Sequence, residues 1–347
     1  MTHRGAISTL MSWHFGLRVL DVMGLGPVPY VDKNNQPYQP CQLVSVPFFH
    51  VSGTHGGLLL ALWSGTKLVI MKKWDPPEAV RLIELEKVSR FGGVPTMAAE
   101  ILGEAKKVGA KLESIRLIDT GGAARPADQA REMAESIPNV LTGTSYGMTE
   151  TNALGIAIRG KEYLENPEVT GRLIAPLAEM RIVDEFDNDV EIGNVGELVL
   201  KSAANMRCYL NKDSETSEVL KDGWLYTGDL AKIDKNELIT LVDRKKNIII
   251  RGGENISAQE VQTVILEHPD VIEAAIFALP NERLGEIVGA CVFCGETSNA
   301  DEDSLKEFLR KSLAAYKIPE HIWFKKKPLP RVASEKIDVE ALKKEYS

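Results

Sequence analysis

The sequence predicts an α/β fold in three successive parts: a parallel-sheet domain over residues 1–171, a small β subdomain over 172–245 and a small α+β domain over 246–347. Three observations carry this. Strand and helix signals alternate from residue 43 to residue 136, the pattern of βαβ units. After residue 171 the pattern changes to short alternating strands punctuated by turns. Beyond residue 246 helices and strands mix again in a segment with its own order. A chain of 347 residues is also too long for one ordinary core, so two or three domains are expected.

Taken in order, residues 7–20 read as helix, and 24–40, rich in Gly, Pro, Asn and Gln, as loop. Residues 43–46 (Leu-Val-Ser-Val) form a buried strand that ends at Pro47-Phe48-Phe49-His50. Helix 54–64 and strand 67–71 follow. Pro76-Pro77-Glu78 starts a helix with proline in its first turn and Val80, Ile83 and Val88 among its apolar positions. Then come strand 91–94, helix 96–107, strand 115–119 ending at Gly121-Gly122-Ala123-Ala124, and helix 126–136. Such a series gives a parallel sheet whose ligand edge lies at the carboxyl ends of its strands, where Pro47, residues 120–124 and residues 142–150 are expected.

Strands 179–184, 195–201 and 237–242 suggest a small barrel or sandwich. The run Asp184 to Asp189 lacks the sixth-position glycine and twelfth-position glutamate of a calcium loop, so it reads as a hairpin turn. In the last part, helix 257–268, strands 271–279 and 287–294, helix 301–314 and a basic tail are expected.

Composition narrows the function. Hydrophobic residues make up 44% and charged residues 26%, as in soluble globular chains. A net charge of −8 leaves no electrostatic footprint for nucleic acid. The run Lys325-Lys326-Lys327 reads as a solvated edge. Four cysteines and no signal peptide point to a reducing, cytoplasmic setting. Cys291 and Cys294 form a CxxC, but inside an apolar strand with no second pair, so strand is preferred over a zinc or redox site. No apolar run is long enough to span a membrane, and residues 58–63 read as a short buried helix.

The motifs carry the chemistry. In Tyr226-Thr227-Gly228-Asp229 an aspartate follows a glycine turn, and the basic cluster Asp243-Arg244-Lys245-Lys246 comes soon after. Arg251-Gly252-Gly253-Glu254-Asn255 then opens into a helix with the capping-box pattern Ser257-x-x-Glu260. That order suits a site holding a polyol with a carboxylate and an arginine, next to a pivot. In Thr142-Gly143-Thr144-Ser145-Tyr146-Gly147-Met148-Thr149-Glu150 an aromatic beside glycine can stack on a flat base. Thr149 and Glu150 offer a hydroxyl and a carboxylate to phosphate and a hard cation such as Mg²⁺. Each motif alone is compatible with plain structure: a surface lysine at 336, an ion pair at 243–244, a hairpin at 252–253.

Taken together, and with Lys336 in Pro330-Arg-Val-Ala-Ser-Glu-Lys336-Ile337, these motifs resemble the adenylate-forming superfamily of acyl-CoA synthetases, adenylation domains and luciferases. The resemblance covers essentially the whole chain from Thr2. It implies an acid–thiol ligase that uses ATP, Mg²⁺ and CoA, with a partial parallel-sheet domain and a small mobile C-terminal domain. By that resemblance Tyr146 and Gly147 would meet adenine, with Gly121, Gly122 and Ala123 as the other wall. Thr149 would hold the α-phosphate and Glu150 the metal. Asp229 and Arg244 would take the ribose, and Lys246 would be the hinge. Lys336 would bridge carboxylate and α-phosphate during adenylation, where charge develops. Gly252, Gly253 and Glu254 would line the passage of the thiol after the small domain turns.

Two departures bear on activity. The family's Ser/Thr/Gly-rich phosphate loop precedes a Thr-His-Arg-Gly like that at 2–5, and this chain begins just past it. Its backbone cradle for phosphates is therefore missing from the sequence, and the chain alone is expected to be impaired. Glu335 also stands where glycine is usual beside the lysine, and a carboxylate there would weaken the contact of Lys336 with anions.

For the acid, the segment 47–65 holds no acidic residue to pair with a substrate amine. It offers His50, a second histidine at 55 and an apolar helix, so an uncharged acid is expected, with His50 at the pocket entrance. Small residues at Gly122, Ala123, Ala124 and Gly143 lean toward an open tunnel and a fatty acid. The alternatives are an aryl-acid–CoA ligase and an inactive chain that still binds nucleotide or acyl-adenylate. Self-association through exposed core surface is a further expectation.

Overall fold

The computed structural model describes residues 1–121, 127–174, 176–295, 300–332 and 336–346, the side chains of residues 127 and 128 excepted. The chain divides into two compact bodies. The first holds Met1–Thr227 and Lys232–Thr240, the second Gly228–Ala231 and Leu241–Ser347.

The first body begins with α1 (His3–Val22), capped by the Thr2 hydroxyl, which accepts a 3.0 Å hydrogen bond from Gly5 N. Ile7, Met11, Phe15 and Val19 recur every four residues and form one exposed face of α1. β1 (Cys41–Val44) is followed by a helical stretch whose first part, Ser52–Leu59, is wound in π-helical turns before α2 (Leu60–Ser64). The single α-helix expected over 54–64 is thus two helical forms in succession, and the wider turns hold Gly53, Gly56 and Gly57, the sequence's least constrained positions. β2 (Lys67–Ile70) leads to α3 (Pro76–Glu86), where the Asp75 carboxylate accepts from Glu78 N at 2.9 Å and Pro76 fills a first-turn position. β3 (Arg90–Gly93), α4 (Pro95–Val108), β4 (Leu117–Gly121), α5 (Ala127–Ser136) and β5 (Leu141–Tyr146) continue the alternation.

These strands lie side by side in the order β2-β1-β3-β4-β5, all parallel. β6 (Ile156–Arg159), α6 (Gly160–Glu165) and β7 (Arg172–Leu173) then extend the sheet antiparallel to seven strands. The segment 142–145, expected on the sheet's edge, is instead the interior of β5, so only its end at Tyr146 reaches that edge. Threonine-rich sequence there signals a strand as well as a loop. Leu43, Ile83, Phe91, Met97, Ile101 and Ile118 belong to the core between sheet and helices.

β8 (Ala178–Val183), β9 (Gly196–Ser202), α7 (Asp213–Val219), β10 (Leu220–Lys221), β11 (Trp224–Ile233) and β12 (Ile239–Arg244) follow. Their sheet runs β10-β11-β9-β8, with β12 also paired to β11. It is one open sheet rather than the expected barrel or sandwich. At the β8 end Asp184 closes a turn by accepting from Phe186 N and Asn188 N, both at 2.9 Å, as the hairpin reading requires. Tyr226–Asp229, read from sequence as a turn, lies within β11. Gly228 takes φ 71° there without ending the strand, a local distortion glycine permits.

In the second body β13 (Ile248–Arg251) and β14 (Glu254–Ser257) form a hairpin in front of α8 (Ala258–Leu266). Then come β15 (Glu273–Asn281), β16 (Gly285–Phe293), α9 (Glu302–Leu309), β17 (His321–Lys325) and α10 (Val339–Tyr346). The sheet order is β14-β13-β16-β15, with β17 parallel to β16. Alternate residues of β15 feed two cores: Ala274 and Ile276 pack with α8 and α9 residues, Ala275 and Phe277 with Leu329 and Leu342. The basic tail expected from sequence is therefore ordered structure. Apolar residues between its charges are buried, as at Ile322 and Leu342, and Lys325 pairs with Glu345 at 2.7 Å. Cys291 is buried in β16, its thiol pushed up to about 11 by burial, so it is a core residue.

Candidate active site

At the carboxyl end of β5, Tyr146 is half-buried, stands opposite Ile156 of β6 and points its hydroxyl at the Met148 sulfur, 3.9 Å away. Gly147 follows because nothing larger fits: a Cβ would lie 2.4 Å from the Ala153 carbonyl oxygen. A single 3₁₀ turn, Thr149–Thr151, comes next and closes on Asn152, which takes the left-handed φ of 53°. Thr151 stabilises it by accepting from Met148 N at 3.3 Å. Thr149 is exposed and Glu150 half-buried on this turn. Gly121 ends β4 opposite Ser145, one strand away on the same edge. Gly122, Ala123 and Ala124 lie outside the described residues.

His50 follows β1 on that edge, where its Nδ1 accepts from Ser52 N at 3.2 Å just ahead of the helical stretch. Gly143 does not open a tunnel. A Cβ there would meet Arg159 Cγ at 2.6 Å, because Arg159 packs across it to reach Asp119, with Nε 3.0 Å from Oδ2. The lean toward an open acyl channel therefore has no support at this position.

Around the Thr149–Glu150 turn the structure adds groups that motif reading passed over. The segment after β9 docks on it: Met206 N donates to the Glu150 carbonyl at 2.6 Å, and the Tyr209 hydroxyl donates to Glu150 Oε1 at 2.8 Å. Burial, and secondarily the carboxylate, push the Tyr209 phenol up to about 12, so it remains a donor at neutral pH. Asn152 donates to the Ala204 carbonyl at 2.6 Å, and its Oδ1 lies 3.0 Å from Nε2 of His55. His55 is buried and its pKa is lowered by that burial, with the Asn152 contact pulling the other way. Tyr209 sits in Cys208-Tyr209-Leu210 with no periodic or motif signal around it. Only tertiary contact identifies it.

In the second body Asp229 is buried and its Oδ1 lies 3.0 Å from Arg244 Nε. Asp243, also buried, organises the chain behind this pair. Its carboxylate accepts from Arg244 N at 2.7 Å, Ser257 Oγ at 2.8 Å and Gln259 N at 2.9 Å. The Ser257 oxygen in turn accepts from Glu260 N at 3.0 Å, so the helix cap expected at 257 forms, while the Glu260 carboxylate turns to Lys317. Lys336 keeps an exposed surface, yet its ammonium is held below the usual lysine value. Desolvation is the first cause and the Arg244 charge the second, with Asp229 opposing them. Beside it Val332 N donates to Lys336 O at 2.9 Å and Asp338 N to Pro330 O at 2.7 Å. Buried Glu273 pins this neck, accepting from Leu329 N at 2.6 Å and pairing with Arg331. Glu335 lies outside the described residues.

Gly252 and Gly253 are the turn of the β13–β14 hairpin, with φ of 59° and 91°, and Glu254 stands in register with Arg251. Lys246 is exposed in a 3₁₀ turn, Lys245–Asn247. A cavity of about 250 Å³ in this body is bordered by Arg251, Lys306, Arg310, Ile318, Pro319 and Glu320. Lys306 pairs with Glu302 at 2.6 Å and Arg251 with Glu320 at 3.8 Å, so Arg310 is the lining cation that leaves a net positive charge for an anion.

Comparison with known proteins gives the family and the fold. Residues 1–210 match the family described as AMP-binding enzyme, and residues 260–336 match the AMP-binding enzyme C-terminal domain. A feruloyl-CoA synthase of an Amycolatopsis species is 32% identical over 85% of this chain and 59% of its own length. A long-chain-fatty-acid–CoA ligase of Bacillus subtilis is 31% identical over 84% of this chain and 52% of its own. The chain thus spans between 49% and 59% of the length of the curated relatives it matches. Among solved structures, an o-succinylbenzoate CoA synthetase from Bacillus subtilis with its acyl-adenylate intermediate superposes with a TM-score of 0.81 at 27% identity, covering 99% of this chain and 65% of the other. The same synthetase with ATP and magnesium ion gives 0.80 at 26% identity, over 99% and 66%.

Proposed function

The chain belongs to the AMP-binding enzyme family, and from that we propose that it is a carboxylate–CoA ligase, activating an uncharged acid with ATP to an acyl-adenylate and passing the acyl group to CoA. The observation that carries this reading is the second body's cluster of Asp229, Arg244 and Lys336. A buried carboxylate braced by a guanidinium suits a ribose diol. A cation within reach of their charges suits the place where two anions, carboxylate and α-phosphate, must meet.

On the first body we assign Tyr146 and Gly121 to the adenine, Thr149 to the α-phosphate and Glu150 to the metal. Thr149 and Glu150 present adjacent hard oxygen donors, which fits Mg²⁺ held by one carboxylate alongside phosphate and water. Among the described residues no three His, Cys, Asp or Glu side chains cluster as a self-sufficient metal site, which is consistent with that shared mode. When bound, the cation supplies charge neutralisation of the phosphates; the residues themselves orient and hold the anion. For CoA, the cationic cavity at Arg251, Lys306 and Arg310 suits a phosphate of the coenzyme, and it adjoins in sequence the Gly252–Gly253 turn assigned to the thiol passage. Lys246 is assigned as the hinge.

The absence of an acid from 47–65 and the apolar stretch at 57–63 favour a fatty acid. The closed packing at Gly143 favours a compact aryl acid as the second reading. None of the four cysteines is in a disulfide, and no helix among the described residues is long and apolar enough to cross a membrane. A cytoplasmic setting suits both.

The test is carboxylate-dependent ATP–pyrophosphate exchange with fatty and aryl acids, with a thermal melt as folding control. Exchange with one class names the substrate. A cooperatively melting chain that exchanges with neither overturns the ligase reading for this chain, and binding of AMP would then mark it as a nucleotide-binding module.

A further inference from the structure

The Thr149–Glu150 turn is held from one side by a single segment. Ala204 accepts from the Asn152 side chain, Met206 N donates to the Glu150 backbone, and Tyr209 reaches the Glu150 carboxylate. These contacts fix the turn at three successive levels: the residue that closes it, the main chain of Glu150, and one of its two carboxylate oxygens. The Tyr209 backbone has its own anchor, since its N donates to Thr216 Oγ1 at 3.0 Å at the base of α7. Its hydroxyl is therefore not needed to hold its own backbone, and among the described residues its partner is Glu150 Oε1. Among the described residues Oε2 of Glu150 has no partner, and Glu150 is only half-buried.

We propose that Tyr209 is a positioning residue for the metal-facing carboxylate: by occupying Oε1 it fixes the rotation of the Glu150 side chain and presents Oε2 alone to a divalent cation. This rests on the assignment of Glu150 to the metal in the proposed function. A carboxylate that can rotate offers either oxygen or both, whereas one clamped on one side binds through the other in a single geometry. Mg²⁺ demands near-octahedral placement, so such clamping matters more for it than for a softer or larger ion. Thr151, the other hydroxyl that closes the turn, is engaged with Met148.

The experiment titrates Mn²⁺, as a paramagnetic stand-in for Mg²⁺, into the full chain with saturating ATP and follows water-proton relaxation. Wild type, Tyr209→Phe and Glu150→Gln are compared. ATP affinity in EDTA and the melting temperature are measured alongside. The expected result is a loss of about tenfold in Mn²⁺ affinity for Tyr209→Phe, with metal-free ATP affinity and melting temperature unchanged. A phenylalanine variant that binds Mn²⁺ as wild type does overturns the inference. So does a wild-type chain whose Mn²⁺ affinity Glu150→Gln leaves unaltered. Failure of the nucleotide assignment shows separately, as absent ATP binding in EDTA.

Discussion

Arg244 Nε lies 3.0 Å from Asp229 Oδ1, and the two side chains differ in setting: the carboxylate is 6% exposed, the guanidinium 52%. A half-exposed arginine contributes little to stability through such a pair. Its value lies in orientation. Asp229→Asn should therefore leave the melting temperature nearly unchanged while weakening AMP binding. Losing charge-assisted hydrogen bonds to a diol costs about 1.5–3 kcal/mol, roughly 10- to 100-fold in affinity. Calorimetric titration with AMP checks it, and an asparagine variant with wild-type affinity removes Asp229 from the ribose role.

Lys336 responds to both members of that pair with opposite signs. Desolvation and Arg244 lower its pKa, and Asp229 raises it. Arg244→Gln should move the Lys336 pKa up, and Asp229→Asn should move it further down. Because the folded value lies below the unfolded one, the unfolded chain holds more protons in the window between them. Stability from this group is therefore present at alkaline pH above that window and is lost as pH falls through the folded value. Carbon-13 NMR of reductively methylated lysines, assigned with Lys336→Arg, reads the shifts. Movement of both variants in one direction would discard this picture of the site.

Much of this was legible in the sequence, and the reasons are local. α3 could be read because Asp75, Pro76 and Pro77 mark its start and Ala79, Val80 and Ile83 repeat on one face. The parallel strands β1 to β4 were legible as short apolar runs, whereas β5 was not, because its Thr, Gly and Ser residues also read as a loop. β17 and α10 were not, because lysines crowd the segment and mask the alternation of Ile322 and Phe324; their burial depends on β16 and Trp323, far away in sequence or hidden by charge. The hairpin weighed at Gly252 and Gly253 is the turn between β13 and β14, whose strands carried no separate signal because they are only four residues each. At the site, Tyr146, Glu150, Asp229 and Arg244 stand in motifs. Tyr209, Asn152 and His55 act through contacts 59 and 97 residues away in sequence, which no spacing rule records.

Gly147→Ala tests how tightly the end of β5 is built. The new methyl would sit 2.4 Å from the Ala153 carbonyl oxygen, a backbone atom that cannot rotate away. Tyr146 or the 149–151 turn must shift, at a cost of about 1–3 kcal/mol. Denaturant unfolding should show that loss, and AMP affinity should fall with it. A variant as stable as wild type would mean that the strand end is looser than its geometry.

His55 sets a pH dependence of different origin. Asn152 donates its amide to Ala204 O, so its Oδ1 must accept from His55, which fixes the neutral imidazole with its proton on Nε2. Nδ1 is then a buried lone pair with no partner. Protonation would place a second N–H there with nothing to receive it, which is why burial lowers the pKa. Above about pH 6.5 the imidazole is neutral in both folded and unfolded chains. As pH falls below that, the unfolded chain takes up a proton that the folded chain refuses, so stability drops until the folded value is passed. His55→Gln keeps a donor for Asn152 and cannot titrate. Its melting temperature should therefore fall less than that of wild type between pH 7 and pH 5. Parallel curves for the two proteins would assign the acid limb to other groups and leave His55 a packing residue.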